Sequence, residues 1–413
     1  MTTSKHLIHR ELGLAPMEGV TTLPMRLWFA LVSRPCAVGT PFLRVTPTFP
    51  TKELPWNFAP ELVRLKSYVP YRLIPQLMAV EGDDFLRTAT LFGSSHDVIE
   101  LNCGCPSPTC VGKGAGSSLL KDPENFHGMV ERISRELGPK KFAVKMRTAY
   151  TDAKEFPHLL KGLREISLAR LTVHGRTRAD AYRGEARWDL ISQAASTCSA
   201  PVIASGDIVN RQSLLDRRGS ATHVGGVIVG RGALRNPWIF EEFRRDEEVC
   251  ISYEALEKSL ICHALIHETY ANDMAKFRDE DSTNFKLLNL VEEGLVSECC
   301  GTDATVWDRV LRRLATVFHE EEAGKPDTIS VSRVTMGRLK LIWNYLRSSL
   351  PKEFASTDLL RSGDLKTFVQ RLRFCNQTYR NVAATHGDEL LPLRHNSEWN
   401  WLYSGERRGA TAP

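Results

Sequence analysis

Eight short apolar runs follow one another through the first part of the chain, and each ends on a residue able to do chemistry. They are LGLAPM (12–17), VGTPFLRV (38–45), RLIPQLM (72–78), VIELNC (98–103), FAVKMR (142–147), RLTVHG (170–175), PVIASG (201–206) and GVIVGR (226–231). Between the later runs lie segments such as PENFHGMVERISRELG and WDLISQAAST, in which apolar residues recur three or four apart, as on one face of a helix. Such alternation predicts parallel strands joined by crossover helices. Eight units in about 240 residues match a closed (β/α)8 barrel, a TIM barrel, better than an open doubly wound sheet. The run ends, Met17–Glu18, Arg44, Gln76, Asn102, Lys145, His174, Ser205 and Gly230–Arg231, would then share the carboxyl-end rim, where the loops converge and barrels bind their ligands.

After NPWIFEEF (236–243) the strand-like runs stop, and segments such as YEALEKSLICHALIHETY and SRVTMGRLKLIWNYLRSSL read as helices. The fold expected is therefore a barrel over residues 1–245, an all-helical domain over 246–385, and an extension over 386–413. Stretches 272–281 and 320–327 are polar enough for loops, and the last dozen residues read as a frayed tail. Arg309, Arg312, Arg313, Arg333, Arg338, Lys340 and Arg347 give the helical part a basic character.

Composition removes whole classes of alternative. Hydrophobic residues make up 42% and charged residues 25% of the 413, close to the globular average, which argues against disordered, collagenous or disulfide-framework proteins. The formal net charge is +5, which permits a polyanionic partner without requiring one. No run of about 18 apolar residues occurs and MTTSKHLIHRELG lacks the apolar core of a signal peptide, so a cytoplasmic protein with no membrane contact is expected. In that reducing setting the 10 cysteines read as core fillers, ligands or a reactive thiol rather than disulfides.

The segment NCGCPSPTCVGKGAGSSLL (102–120) is the most informative. Pro106 disfavours helical geometry at Cys105, so that thiol projects at a strand end, ahead of a glycine-rich loop able to close over a substrate. Cys103, Cys105 and Cys110 match no common zinc spacing and lack a fourth ligand, so no metal is expected. Cys103 reads as a core residue. Lys145 alternates with Ala143 and Arg147, and an inward amine would meet a bound anion, although a Schiff-base lysine or a salt-bridged one fits the same spacing. HGRTRADAYRGEARWD gathers His174, Arg176, Arg178 and Tyr182 in one rim loop, suited to phosphate or base contacts. PVIASGDI and GVIVGRGA end the seventh and eighth runs where barrels commonly hold a phosphate. The pair His263 and His267 has metal-like spacing without a third ligand and is expected on a helix surface.

Taken in order, APMEGVT, PQL, ELNCGCPSP, VKMR, HGRTRADAYRGEARWD, PVIASGDI, GVIVGRGALRNPWIF and GRLKLIWNYL resemble the tRNA-dihydrouridine synthases over nearly the whole chain, closest to a bacterial subgroup with the APMEG motif. The resemblance implies an FMN-bearing barrel and a helical domain that together grip the D-arm and elbow of tRNA in a monomer, with NADPH or NADH as reductant. It implies that Pro16, Met17, Glu18, Gln76, Lys145, His174, Ser205, Gly206, Asp207, Gly230 and Arg231 line the flavin. It further implies that Arg44, Asn102, Tyr182, Arg338, Lys340 and Tyr345 contact the tRNA. In the mechanism it implies, flavin N5 delivers hydride to uracil C6 and Cys105 protonates C5. Ser205 stands where the family usually has Asn, and residues 270–330 are longer than usual. Two other classes fit parts of the pattern: a barrel lyase or aldolase using Lys145, and a non-catalytic tRNA-binding protein.

Overall fold

All eight apolar runs are strands: β1 (Glu11–Leu14), β2 (Ala37–Arg44), β3 (Arg72–Met78), β4 (Ile99–Cys103), β5 (Phe142–Arg147), β6 (Arg170–His174), β7 (Val202–Ser205) and β8 (Gly226–Val229). In the computed structural model, which describes residues 11–49, 54–95, 97–221, 223–272, 278–297, 299–318, 326–383 and 391–393, they pair in sequence order and close β1 onto β8. Every pairing in this barrel is parallel, and residues such as Asn102 and Lys145, or Arg147 and His174, lie opposite each other. Closure removes the exposed edges of the sheet and sends alternate side chains inward.

The crossover helices are α1 (Leu23–Val32), α2 (Gly82–Ala89), α3 (Pro123–Leu137), α4 (Phe156–Leu163), α5 (Trp188–Thr197), α6 (Arg211–Gly219) and, after β8, α7 (Arg231–Arg235). Helix α3 shows why the segment stops and starts where it does. The Asp122 carboxylate accepts from Asn125 N, Pro123 opens the first turn, and Gly138 ends the helix with a positive φ of 87°. Its Phe126, Val130 and Ile133 are buried, each stabilising the fold by about 1.5–3 kcal/mol by removal from water.

Beyond the barrel lie α8 (Ile239–Arg245), α9 (Tyr253–Asn272), α10 (Thr283–Glu292), α11 (Ala304–Ala315), α12 (Arg333–Leu346) and α13 (Leu365–Ala383). Their seat on the barrel is largely aromatic. Trp28 of α1 is fully buried and donates to Ser259 O of α9 at 2.8 Å, while Trp238 donates to Gly301 O at 2.8 Å. Arg64 adds an ion pair to Glu292 of α10 at 2.7 Å. No described helix is long and apolar enough to cross a membrane.

One expectation is overturned here. His263 and His267 are buried rather than on a helix surface, because the face of α9 that carries them packs between α1 and α12. His263 lies edge-on to Trp28 at 5.2 Å and both its ring nitrogens lack a hydrogen-bond partner among the described residues, while His267 Nδ1 meets Thr335 Oγ1 at 3.1 Å. Burial pushes both imidazoles down, to about 3 and about 4 respectively. The loops foreseen at 272–281 and 320–327 lie partly outside the described residues. The C-terminal extension does so almost entirely, except that Leu391–Pro392 pairs antiparallel with Cys250–Ile251.

Candidate active site

The carboxyl ends of the strands enclose a cavity of about 470 Å³. Such a volume lies within the range of small-molecule and cofactor sites. Its wall holds Pro16, Met17 and Glu18 after β1, Asn102 and Cys105 at the end of β4, Lys145 on β5, and His174 at the end of β6. It also holds Ser205, Gly206 and Asp207 after β7, and Gly230 and Arg231 after β8. Tyr182 and Tyr345 complete it from the β6–α5 loop and from α12. Cys105 and Lys145 therefore open into one cavity.

Backbone packing sets these loops in place. Gly39 must be glycine-sized because a Cβ there would come within 2.8 Å of the Pro16 ring, so β2 presses directly on the Met17–Glu18 turn. Gly206, at φ +129°, lets its turn approach Ala186, whose Cβ would lie only 2.6 Å from an added methyl. Pocket wall and strand ends are thus locked by contacts too close for any side chain.

The cavity is cationic and incompletely partnered. Among the described residues Lys145 has no hydrogen-bond or ion-pair partner, and burial lowers its pKa, an effect partly offset by the nearby Glu100 carboxylate. His174 is held well below the ordinary imidazole range, first by burial and then by Arg147, Lys145, Arg176 and Arg231 around it. Its Nδ1, and Nη1 of Arg176, are buried without a hydrogen-bond partner among the described residues. Buried polar atoms are normally satisfied, so a cluster of orphans facing one cavity marks a place prepared for a ligand rich in acceptors.

Cys105 is half-buried, and its thiol is pushed up to about 11, by burial first and by the neighbouring Cys110 sulfur, against a lowering contact from Ser107 N. Its loop is fixed from two sides. Asn102 Oδ1 accepts from both Gly104 N and Cys105 N at 2.9 Å, and Cys105 O accepts from Ser117 Oγ at 2.8 Å. Cys103 lies in the core, whereas Cys110, buried beside Met78 and Ala115, packs against Cys105, so two of the three cysteines of this segment are neighbours.

Arg147 was not foreseen as a site residue, whereas Arg176 was expected in the rim loop and does line the cavity. Arg147 donates to Gly104 O, Thr177 O and Ala181 O at 2.9, 2.8 and 2.8 Å, tying the Cys105 turn to the Tyr182 loop. Burial lowers its pKa to about 10. Tyr182 is exposed at the cavity mouth, its ring 4.4 Å from the Arg231 guanidinium carbon and 5.6 Å from that of Arg147. Arg176 pairs with Asp207 at 2.8 Å, and the Asp207 carboxylate also accepts from Ala186 N at 2.6 Å, so that carboxylate is committed to the fold.

Four residues expected at the site lie outside the cavity wall. Gln76 sits beneath it in the barrel interior, between Glu100 and Asn102 at 2.7 Å each. Arg44 is half-buried at the end of β2. Arg338 of α12 donates to Gly19 O, in the turn that carries Met17 and Glu18. Lys340 is half-buried two residues further along α12.

Residues 13–291 match the family model described as dihydrouridine synthase. A tRNA-dihydrouridine(16) synthase of Haemophilus influenzae is 32% identical over 265 residues, covering 62% of this chain and 84% of that protein. One of Haemophilus ducreyi bearing the same name is 34% identical, covering 54% and 70%. A tRNA-dihydrouridine synthase B of Pseudomonas syringae pv. tomato is 31% identical, covering 57% and 68%. Among solved structures, a morphinone reductase mutant in complex with tetrahydroNAD aligns at 13% identity and a TM-score of 0.42, covering 57% of this chain and 86% of that one, too distant to bear on the site. The family model spans most of the barrel and every loop that shapes its mouth, and on that match the chain belongs to the dihydrouridine synthase family of oxidoreductases.

Proposed function

We propose that this protein is an FMN-dependent reductase that converts a D-loop uridine of tRNA to 5,6-dihydrouridine with NAD(P)H as the electron source. The observation that carries the reading is the shared cavity: a protonated thiol, an unpaired lysine and a neutral histidine face one space at the rim of the barrel. The names of the relatives supply the substrate class, and two of them name position 16, the first site to examine. Barrel residues 1–245 would hold the cofactor, helical residues 246–385 would hold the tRNA, and 386–413 would form an extension.

The residues present fit a flavin. The unpartnered His174 Nδ1 and Arg176 Nη1, and the unpaired Lys145, offer donors to an oxygen- and nitrogen-rich ring edge. Lys145 would place its cation against the edge that gains charge on reduction, where a dry cavity makes the interaction strong. Ser205, Gly206, Gly230 and Arg231 would receive the ribityl phosphate side, with Pro16, Met17 and Glu18 against the ring. When bound, reduced FMN supplies the hydride that adds to C6 of uracil.

Cys105 then closes the reaction by giving its proton to C5. A thiol pushed up to about 11 keeps that proton at neutral pH, as an acid must. Asn102 and Arg147 hold the Cys105 turn still, and the Asn102 amide retains an N–H for the base. The target uridine must leave its stack to reach the cavity, and Tyr182 at the mouth offers it an aromatic face. Arg44 and Lys340, outside the wall, are proposed phosphate contacts for the tRNA.

The experiment is a mapping of dihydrouridine in tRNA from cells with and without this protein, alongside the absorbance of the purified chain. Loss of one D-loop site, and a yellow protein that releases FMN on denaturation, are expected. Full modification in the deleted strain with no compensating enzyme, or a colourless folded protein, would remove the proposal.

A further inference from the structure

A continuous hydrogen-bond chain rises through the barrel interior to the Cys105 turn. Glu100 Oε2 takes Arg170 Nη2 at 3.1 Å and Thr172 Oγ1 at 3.2 Å. Glu100 Oε1 takes Gln76 Nε2 at 2.7 Å, Gln76 Oε1 takes Asn102 Nδ2 at 2.7 Å, and Asn102 Oδ1 takes Gly104 N and Cys105 N. Glu100 and Gln76 are 0% and 1% exposed, so water does not substitute for any missing partner.

From this we infer that Glu100 is a positioning residue, which sets the direction of the chain through Gln76 and Asn102 and so orients the turn that carries Cys105. The inference rests on the proposed role of Cys105 as proton donor. An ionised carboxylate only accepts, whereas a carboxamide has a donor end and an acceptor end. With Glu100 as pure acceptor, Gln76 must turn its N–H2 downward and its oxygen upward. Asn102 must then turn its N–H2 toward that oxygen, which leaves Asn102 Oδ1 facing the two amides of the turn. One carboxylate thus fixes two amide orientations, and through them the seat of the thiol.

The replacement Glu100→Gln tests whether the carboxylate sets this direction. Arg170 and Thr172 are donors and would claim the new amide's oxygen, turning its N–H2 toward Gln76. Gln76 and then Asn102 would reverse, and Asn102 would present N–H2 to two N–H groups. The paired replacement Gln76→Glu with Glu100→Gln restores the direction, because the carboxylate now sits one step higher and still accepts from Asn102, while Arg170 keeps its contact with Glu11.

Hydrogen exchange of the Gly104 and Cys105 amides in the full chain reads the seat directly. Exchange at these two amides is expected to rise about tenfold in Glu100→Gln and to return to within about twofold of the original protein in the paired replacement, the scale of one lost hydrogen bond. Turnover on tRNA should fall in Glu100→Gln with the KM for tRNA unchanged, since the change lies beneath the binding surface. Unaltered exchange in a folded Glu100→Gln protein, or equally fast exchange in the paired replacement, overturns the inference. Should Glu100→Gln not fold, the paired replacement decides: retained protection supports the inference and lost protection removes it. If the unmodified protein reduces no uridine, the proposed reaction fails, while the exchange result still decides whether Glu100 sets the turn.

Discussion

The two ends of the barrel interior handle charge in opposite ways. Near the amino ends of the strands, Glu11 takes both Arg72 and Arg170, and Arg170 reaches on to Glu100, so each of these four charges has a counter-charge. At the carboxyl ends, Lys145 and Arg147 share one cavity with the Arg176–Asp207 pair, and the other carboxylate in its described lining is Glu18. Burying charge without a partner is costly, so a fold tolerates it only where a ligand completes the set. One end of the barrel therefore stabilises the protein, and the other is prepared to bind.

Substitutions at the two ends should separate these roles. At the mouth, Cys105→Ala is expected to lower dihydrouridine formation by about 10²–10⁴-fold, the usual weight of a general acid, with flavin content unchanged. A variant retaining more than a tenth of turnover would assign the proton to another group. At the base, Arg170→Met should cost about 3–5 kcal/mol in urea unfolding, because Glu11 and Glu100 would lose a buried partner. Lys145→Met should invert that pattern, with flavin retention sharply weakened but the flavin-free protein as stable as before or more so, since no ion pair is broken. Comparable unfolding losses for Arg170→Met and Lys145→Met would erase the distinction between the ends.

Acid should expose a smaller effect. The imidazoles of His174, His263 and His267 all lie below the ordinary value of 6.5 because burial disfavours their charged forms. The unfolded chain therefore binds more protons than the folded one below about pH 6.5, and stability is lost as pH falls from there toward the folded values. A loss on the order of 1 kcal/mol per pH unit per buried histidine is expected between about pH 6 and 5. Replacing His263 by Phe, which can still pack on Trp28, should flatten that slope, and an unchanged slope would show that His263 titrates normally. The least effect is expected from Lys340→Ala, a modest drop in tRNA affinity with the salt dependence reduced by about one phosphate contact.

Much of this was legible in the sequence, for reasons that differ by residue. The strands stood out because barrel strands are buried on both faces and read as apolar runs, and each structural strand begins and ends close to its run. Cys105, Lys145 and His174 were visible because each is a polar residue at or near the end of such a run, close to the expected rim. Arg147 was seen as a neighbour of Lys145 but not as a brace, since its acceptors are the carbonyls of Gly104, Thr177 and Ala181, which only the folded loops bring together. The same holds for Asp207, whose carboxylate pairs with Arg176, and for Gln76, whose amide belongs to an internal chain rather than to the wall. The histidines of α9 were placed on the wrong face because an i, i+4 pair reveals that two side chains are neighbours without revealing which side of the helix meets its surroundings.

The link from Arg338 to the carbonyl of Gly19 has a consequence for how such proteins can be rebuilt. The turn bearing Met17 and Glu18 is propped from a helix more than three hundred positions downstream. A barrel grafted onto a foreign RNA-gripping module would lose that prop, and a chimera would have to supply an equivalent guanidinium before its first loop could be relied upon.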